Sequence, residues 1–414
     1  ACYDRIVTGL SAVEGRKWGQ SHRESVFTTK VLQSQLFRVR TFNGTTDATY
    51  SYSDATPLQG AGQGIGWAGP KWVNTRDTCS KMMNSTCTGM VFQDPFGMVV
   101  VVKIADYFVD DTATGVTETA VNDDRSGLEH LSETEQKHAD ILYVCGHKLA
   151  LDKCVYYFSR FKRVGLVYRH TTIEETPGDL VLRDSETGKV EKIRRLEPMD
   201  EHVTLGHLLS LTGSNKDQYN TIRDAMRDWT NKINTSSLTG RERMQAYTGY
   251  LEKALQYVVA STTFSFKQCN TLMRIVAPVL LNANSIQRNC ARIVLFSTPN
   301  FGGLGIKHLF HLQGLERLRF LTMHMRRQDT VGDLMTICIQ NTQLELGVSK
   351  QFFLLPFPSY SFVCTPTWIT DIWEYVHKCH GTAHIPFLHM QHLQRQNDFF
   401  LMDKVFESQH TSEH

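Results

Sequence analysis

Hydrophobic and polar positions change period several times along the chain. Residues 5 to 40 carry helical spacing. Thr41 to Gln63 is rich in Gly, Thr and Ser and reads as a hairpin or turn region opening into a helix at about 68 to 84. Phe96 to Val109 differs, with the run Met98-Val99-Val100-Val101-Val102 and then Tyr107-Phe108-Val109 before Asp110-Asp111. That texture predicts a β-hairpin with a carboxylate at its tight turn, packed on helices near residues 10 and 75. A helix is expected from about Ser132 to Cys145, and Cys154 to Phe158 reads as a strand. Residues 164 to 204 are β-rich, with Asp184 to Gly188 as a hairpin tip. From Asn215 onward the pattern is helical, punctuated by Pro278, Pro299 and the Gly302-Gly303-Leu304-Gly305 turn. Residues 351 to 414 alternate Pro-rich turns with short aromatic helices, and no internal repeat is present.

At 414 residues the chain is long enough for two or three packed units. Lys plus Arg number 44 against 42 for Asp plus Glu, a net charge of +2, so any basic groove must be local. The 10 cysteines lack the dense spacing of a disulfide scaffold, which points to free thiols in a reducing, intracellular compartment, cytoplasm or nucleus. The N-x-S/T triplets at Asn43, Asn84 and Asn234 are read as unglycosylated. No run reaches the roughly 18 apolar residues of a membrane span, so no membrane partner is expected. The opening residues read as the middle of a motif, and the expectation is a fragment.

Adjacent carboxylates on a turn disfavour joint ionisation unless a cation neutralises them. Asp110 and Asp111 are therefore either a solvated turn or ligands of a divalent metal, for which carboxylate oxygens are suitable hard donors.

Five segments bear on that choice. Phe108-Val109-Asp110-Asp111 resembles the F/Y-x-D-D box of reverse transcriptases. Ala1-Cys2-Tyr3-Asp4-Arg5-Ile6 resembles the end of their first palm motif, and Gly62-Gln63-Gly64 through Pro70 resembles their Q-G-x-x-x-S-P loop and helix. Gly146-His147-Lys148-Leu149 with Lys153 resembles the G-x-K-L-x-x-x-K segment, and Thr204-Leu205-Gly206 the Y-L-G primer-grip turn. Further on, Phe301-Gly302-Gly303-Leu304-Gly305-Ile306 with Leu315, Leu318 and Leu321 resembles the segment behind the polymerase of non-LTR retrotransposons. The resemblance covers about three quarters of the chain.

It implies an α+β fold: a reverse-transcriptase palm of antiparallel sheet with helices, then a helical thumb and a helical C-terminal extension. The implied divisions are 1–206 (partial fingers and palm), 207–300 (thumb) and 301–414 (extension). The implied activity is RNA-directed DNA polymerisation, adding dNTPs to a DNA primer 3′-end on an RNA template with Mg²⁺ or Mn²⁺.

Carried over by residue, Asp110 and Asp111 are catalytic metal ligands, and Lys153 matches the lysine that protonates the departing pyrophosphate. Tyr3 matches the aromatic gate that excludes a ribose 2′-hydroxyl. Gln63 and Gly64 match the loop on the incoming nucleotide and template. Leu205 and Gly206 match the turn that places the primer terminus. Plainer readings stand beside these: a core tyrosine, a simple glycine turn, a solvated lysine. Ala68-Gly69 departs from the family's Ser, which puts that loop's polar contacts in doubt. The family's first carboxylate falls three positions before Ala1, so the expectation is that this polypeptide alone is catalytically incomplete. A degenerate, non-catalytic nucleic-acid-binding relic is the alternative. An RNA-templated RNA polymerase is disfavoured, because such enzymes carry G-D-D at this place.

Two weaker signals complete the reading. Cys364, Cys379, His380, His384, His389 and His392 are either a zinc cluster or packed and surface side chains, and their spacing fits no closed finger. Lys307, Arg317, Arg319, Arg326 and Arg327 are either a track for a template backbone or a solvated helix face.

Overall fold

The computed structural model describes residues 8–36, 38, 40–41, 44–49, 51, 68–108, 111–117, 127–165, 167–386, 388 and 397–411. Helices and short antiparallel strands coexist, an α+β arrangement. The chain divides into two compact units, residues 1–91 with 102–198, and residues 92–101 with 199–414.

In the first unit, helices Thr8–Lys17 and His22–Gln33 open the described chain. Ser21 and Glu24 form a reciprocal capping box that fixes where the second of them starts. Helix Ala68–Thr86 follows the Gly-rich stretch, and helix Gly127–Val144 starts five residues earlier than its apolar spacing suggests. Leu10, Cys79, Met83, Ile104, Ile141 and Cys145 share one core. The strand after Ile104 is thereby packed on the helices near residues 10 and 75, as expected. Leu131, Tyr156, Leu180, Leu182 and Ile193 form a second core around the β-rich segment.

Among the described residues the strands form seven two-stranded pairs. Six register in full: five are antiparallel, and Arg194–Leu196 with Val155–Tyr157 is parallel. The valine run behaves differently from its reading. Val100–Lys103 pairs with Met90–Gln93, and the carboxylate hairpin is made by Ala105–Phe108 with Asp111–Thr114. Asp184 to Gly188 is the tip between Val181–Arg183 and Val190–Lys192, as the turn residues predict.

The second unit is dominated by helices. Ile222, Met226, Trp229 and Ile233, three or four apart, put one face of helix Lys216–Thr235 into a core with Leu272, Met273, Val276 and Leu280 of helix Phe266–Ala283. A π turn at Tyr247–Leu251 lies between helical segments Gly240–Ala246 and Glu252–Val259. Tyr247 and Leu251 are both buried there, as are Leu255 and Val259. Pro278 does not interrupt its helix, contrary to the expected break. The apolar side chains around it, from Val276 to Leu281, are buried, and that burial offsets the lost backbone hydrogen bond. Helices Leu309–Arg327, Thr330–Leu346 and Trp368–Lys378 enclose another core around Trp373, Phe352 and Ile339.

Candidate active site

The carboxylate hairpin is closed by the pair Phe108 and Asp111. Asp110 lies outside the described residues, as do Tyr3, Gln63 and Gly64. Asp111 is exposed at the start of its strand, which suits a hard oxygen donor to a divalent cation. Among the described residues no group of three or more His, Cys, Asp or Glu is placed to hold a metal ion.

The support behind that hairpin is ionic and aromatic. Arg76, from helix Ala68–Thr86, donates from Nη2 to the Thr112 hydroxyl. Its guanidinium lies 4.7 Å from the Tyr107 ring centroid and 5.4 Å from that of Trp72. Two residue pairs along, the Thr114 hydroxyl donates to Glu135, whose other oxygen lies 3.6 Å from His138 Nδ1. The Tyr107 hydroxyl is buried without a hydrogen-bond partner among the described residues. Burial raises its pKa above the usual phenol value, and the nearby Arg76 opposes that shift. Arg76 sits one turn after Trp72 on a helix, a spacing that signals a shared face. Its partners across the hairpin carry no sequence signal.

Lys153 is exposed at the end of the 3₁₀ turn Leu151–Lys153, which Leu151 anchors by burial. Lys148, in the same motif, is engaged elsewhere. It pairs with Asp184 at 2.8 Å and Glu186 at 2.9 Å on the neighbouring hairpin tip. Those carboxylates raise its pKa, and Lys148 in turn holds Asp184 well below the ordinary carboxylate range. A shallow depression lies here, lined by Tyr143, Lys148, Leu149, Leu151, Arg183 and Asp184 among others.

In the second unit, Leu205 and Gly206 join strands His202–Thr204 and His207–Leu209. Their φ angles are 53° and 80°, the two left-handed residues of a type I′ hairpin turn. Gly adopts this freely, and Leu does not. The turn is held from outside: the Tyr257 hydroxyl donates to the Leu205 carbonyl at 2.8 Å. The Tyr257 and His207 rings lie 4.5 Å apart, and His207 Nδ1 is 2.9 Å from the Ser261 hydroxyl. Burial lowers the His207 pKa. Below the hairpin, Glu201 accepts from the backbone N–H of Asp217 and Gln218, each at 2.9 Å, at the start of helix Lys216–Thr235. The Gln218 side chain then accepts from Leu208 N–H at 2.7 Å. Tyr257, Ser261 and Glu201 escaped the sequence reading because their partners are backbone groups or lie far along the chain.

The basic stretch of the C-terminal region needs correction. Arg319, Arg326 and Arg327 are exposed, but Arg317 is only 1% exposed and faces Asp371 at 3.5 Å. It falls on the buried stripe with Phe310, Gln313, Gly314 and Leu321, so it is unavailable to a template backbone. Lys307 is paired with Glu252 at 3.2 Å. Of the C-terminal Cys/His set, His389 and His392 lie outside the described residues. The nine described cysteines are free. Among the described residues no helix is long and apolar enough to cross a membrane.

No protein-family model and no curated protein matches the chain.

Proposed function

We propose that the chain is the palm and thumb of a reverse transcriptase of a non-LTR-type mobile element, an RNA-directed DNA polymerase taking an RNA template, a DNA primer and dNTPs. The observation that supports the reading is the closing pair of the hairpin, Phe108 and Asp111, which are the two described residues of the F-V-D-D box. The left-handed Leu205-Gly206 turn supports it, because a primer grip works through backbone shape and this turn is held by the Tyr257 hydroxyl. The order of the five motifs along the chain adds to both.

In this reading Asp110 and Asp111 would hold Mg²⁺ or Mn²⁺, which would supply charge stabilisation for nucleotidyl transfer. Arg76, Tyr107 and Thr112 fix the hairpin that carries Asp111. Lys153, exposed and with an ammonium to donate, serves as the acid toward the leaving pyrophosphate. Leu205 and Gly206 orient the primer end by presenting backbone. Intracellular residence, in cytoplasm or nucleus, belongs to the same proposal.

Primer extension by the full-length protein on an RNA template tests it. Template-dependent DNA synthesis is expected, with Asp110→Asn and Asp111→Asn each lowering the rate about a thousand-fold or more. Extension unchanged in both variants would place the active site elsewhere.

A further inference from the structure

We propose that the β-ribbon Phe161–Val164 with Val167–His170 is a binding surface for single-stranded nucleic acid, and that one of its two faces makes the contact. The ribbon's register sorts its side chains. Phe161 pairs with His170 and Arg163 with Tyr168, whereas Lys162 pairs with Arg169 and Val164 with Val167. Successive residues of a strand point to opposite faces, so Phe161, His170, Arg163 and Tyr168 share one face. Lys162, Arg169, Val164 and Val167 share the other.

The two faces differ in what is already satisfied. On the second, Lys162 and Arg169 both close on Glu175, at 3.0 Å and 2.7 Å, which neutralises part of their charge. The first face carries no carboxylate. Among the described residues its Arg163 donates to the carbonyl of Gly165 in the ribbon's own turn, at 3.0 Å. Phe161 and Tyr168 are 68% and 65% exposed, and Phe161 lies 4.5 Å from the His170 ring. Two largely exposed aromatic rings, an imidazole and a guanidinium on one face of the ribbon form a platform on which bases stack while the cation meets a phosphate.

The ribbon is also held as a presented element. A two-stranded hairpin bare on both faces is marginal by itself in water, and here its base is tied down. Arg195 donates to the carbonyls of Phe158 at 2.8 Å and Thr176 at 2.6 Å. Arg160 and Thr171 bond backbone to backbone at 2.8 Å, and the Thr171 hydroxyl accepts from Arg160 N–H at 2.9 Å. A hydrogen-bonded root beneath an exposed aromatic and cationic strip fits a polyanion with accessible bases better than a second apolar surface. The inference stands on the ribbon's own chemistry. It rests on the polymerase reading only in taking the strand met in the cell to be the RNA template.

The test is fluorescence anisotropy of labelled oligo(rU) and oligo(dT) titrated with the full chain over a range of salt. The variants are Phe161→Ala, Tyr168→Ala and Arg163→Gln, with Val167→Ala on the opposite face as control. Wild-type protein and the control should bind alike. Each aromatic variant should bind about ten-fold more weakly, and Arg163→Gln should reduce the salt slope by about 0.7. Phe161→Leu, which keeps apolar bulk without a stacking ring, should behave as Phe161→Ala and guards against a folding defect. Tighter binding of oligo(rU) than oligo(dT) supports an RNA strand, and the reverse order overturns that assignment. Binding equal in wild type and face variants overturns the ribbon's role and leaves the polymerase reading intact. No binding by wild type overturns it too, and primer extension by the full-length protein then decides the polymerase reading separately. Self-association lost in the face variants, with oligonucleotide binding unchanged, would assign the face to a second copy and also overturn it.

Discussion

Tyr257 donates its hydroxyl to the carbonyl of Leu205 at 2.8 Å, and in doing so holds a leucine at a φ of 53°. A left-handed conformation costs a non-glycine residue about 1–2 kcal/mol, so the turn persists because neighbouring groups over-determine it. Removing the bond by Tyr257→Phe should cost about 0.5–1 kcal/mol, the low end for a hydrogen bond at an exposed position. Leu205→Gly should act with the opposite sign, stabilising by about 0.5–1 kcal/mol once the relieved strain exceeds the added chain entropy. Thermal unfolding of the two variants checks both signs. If Leu205→Gly lowers Tm as much as Tyr257→Phe does, strain at Leu205 is not the controlling quantity.

The carboxylate hairpin offers a second pair of opposite signs. The Tyr107 hydroxyl is buried and unbonded among the described residues, and such a group carries a desolvation cost of about 1–3 kcal/mol. Tyr107→Phe keeps the ring under the Arg76 guanidinium and should raise stability. Arg76→Met removes the cation–ring contact and the bond to Thr112, and should cost about 2–3 kcal/mol. Chemical denaturation reads both, and a destabilised Tyr107→Phe would reveal a partner for that hydroxyl.

Arg317 and Asp371 face each other at 3.5 Å and both line one pocket with Phe310, Gln313 and Tyr375. Burial pushes the Asp371 carboxyl up to about 6 despite the opposing pull of Arg317. The folded state therefore holds this proton more tightly than the unfolded chain, whose Asp titrates near its ordinary value of about 3.9. The contribution is fully present below that value and is lost as pH rises toward about 6. The difference in unfolding free energy between wild type and Asp371→Asn should thus change between about pH 4 and pH 6 and be flat above. A pH-independent difference would mean that Asp371 stays ionised throughout.

Much of this organisation was legible from side-chain periodicity. The helix after residue 215, the tip at Asp184 to Gly188 and the strand at Val155–Tyr157 follow from local pattern and turn chemistry. Local pattern failed where tertiary packing decides. The run Met98 to Val102 looked like part of the Asp110-Asp111 hairpin, but Val100–Lys103 pairs backward with Met90–Gln93. Pro278 looked like a break and is carried through by its buried neighbours. Arg317 looked like one of a basic row, yet its helix turns it inward while Arg319 stays in solvent. In the candidate site, Asp111, Lys153, Leu205 and Gly206 were singled out by motif resemblance. They could not find Tyr257, 52 residues from the backbone group it holds, because a contact to backbone leaves no residue-type signature at the partner.

Gly314 gives the sharpest packing test. It lies buried in helix Leu309–Arg327, and a Cβ placed there would overlap the ring of Tyr375 in helix Trp368–Lys378. The Tyr375 ring is itself confined, 5.5 Å from Phe310 and 5.9 Å from His311, so it has little room to withdraw. Helix propensity alone favours Ala over Gly by about 1 kcal/mol, and overpacking a close-packed core costs about 1–3 kcal/mol or more. The ring overlap should win, leaving Gly314→Ala destabilised by about 2 kcal/mol or more. Tyr375→Leu, which removes the ring, should then rescue the alanine. In a double-mutant cycle the two changes should couple by at least about 1 kcal/mol in the favourable direction, since their side chains occupy one space. Additive losses in that cycle would show that the helices separate freely at Gly314 and that its small size sets nothing there.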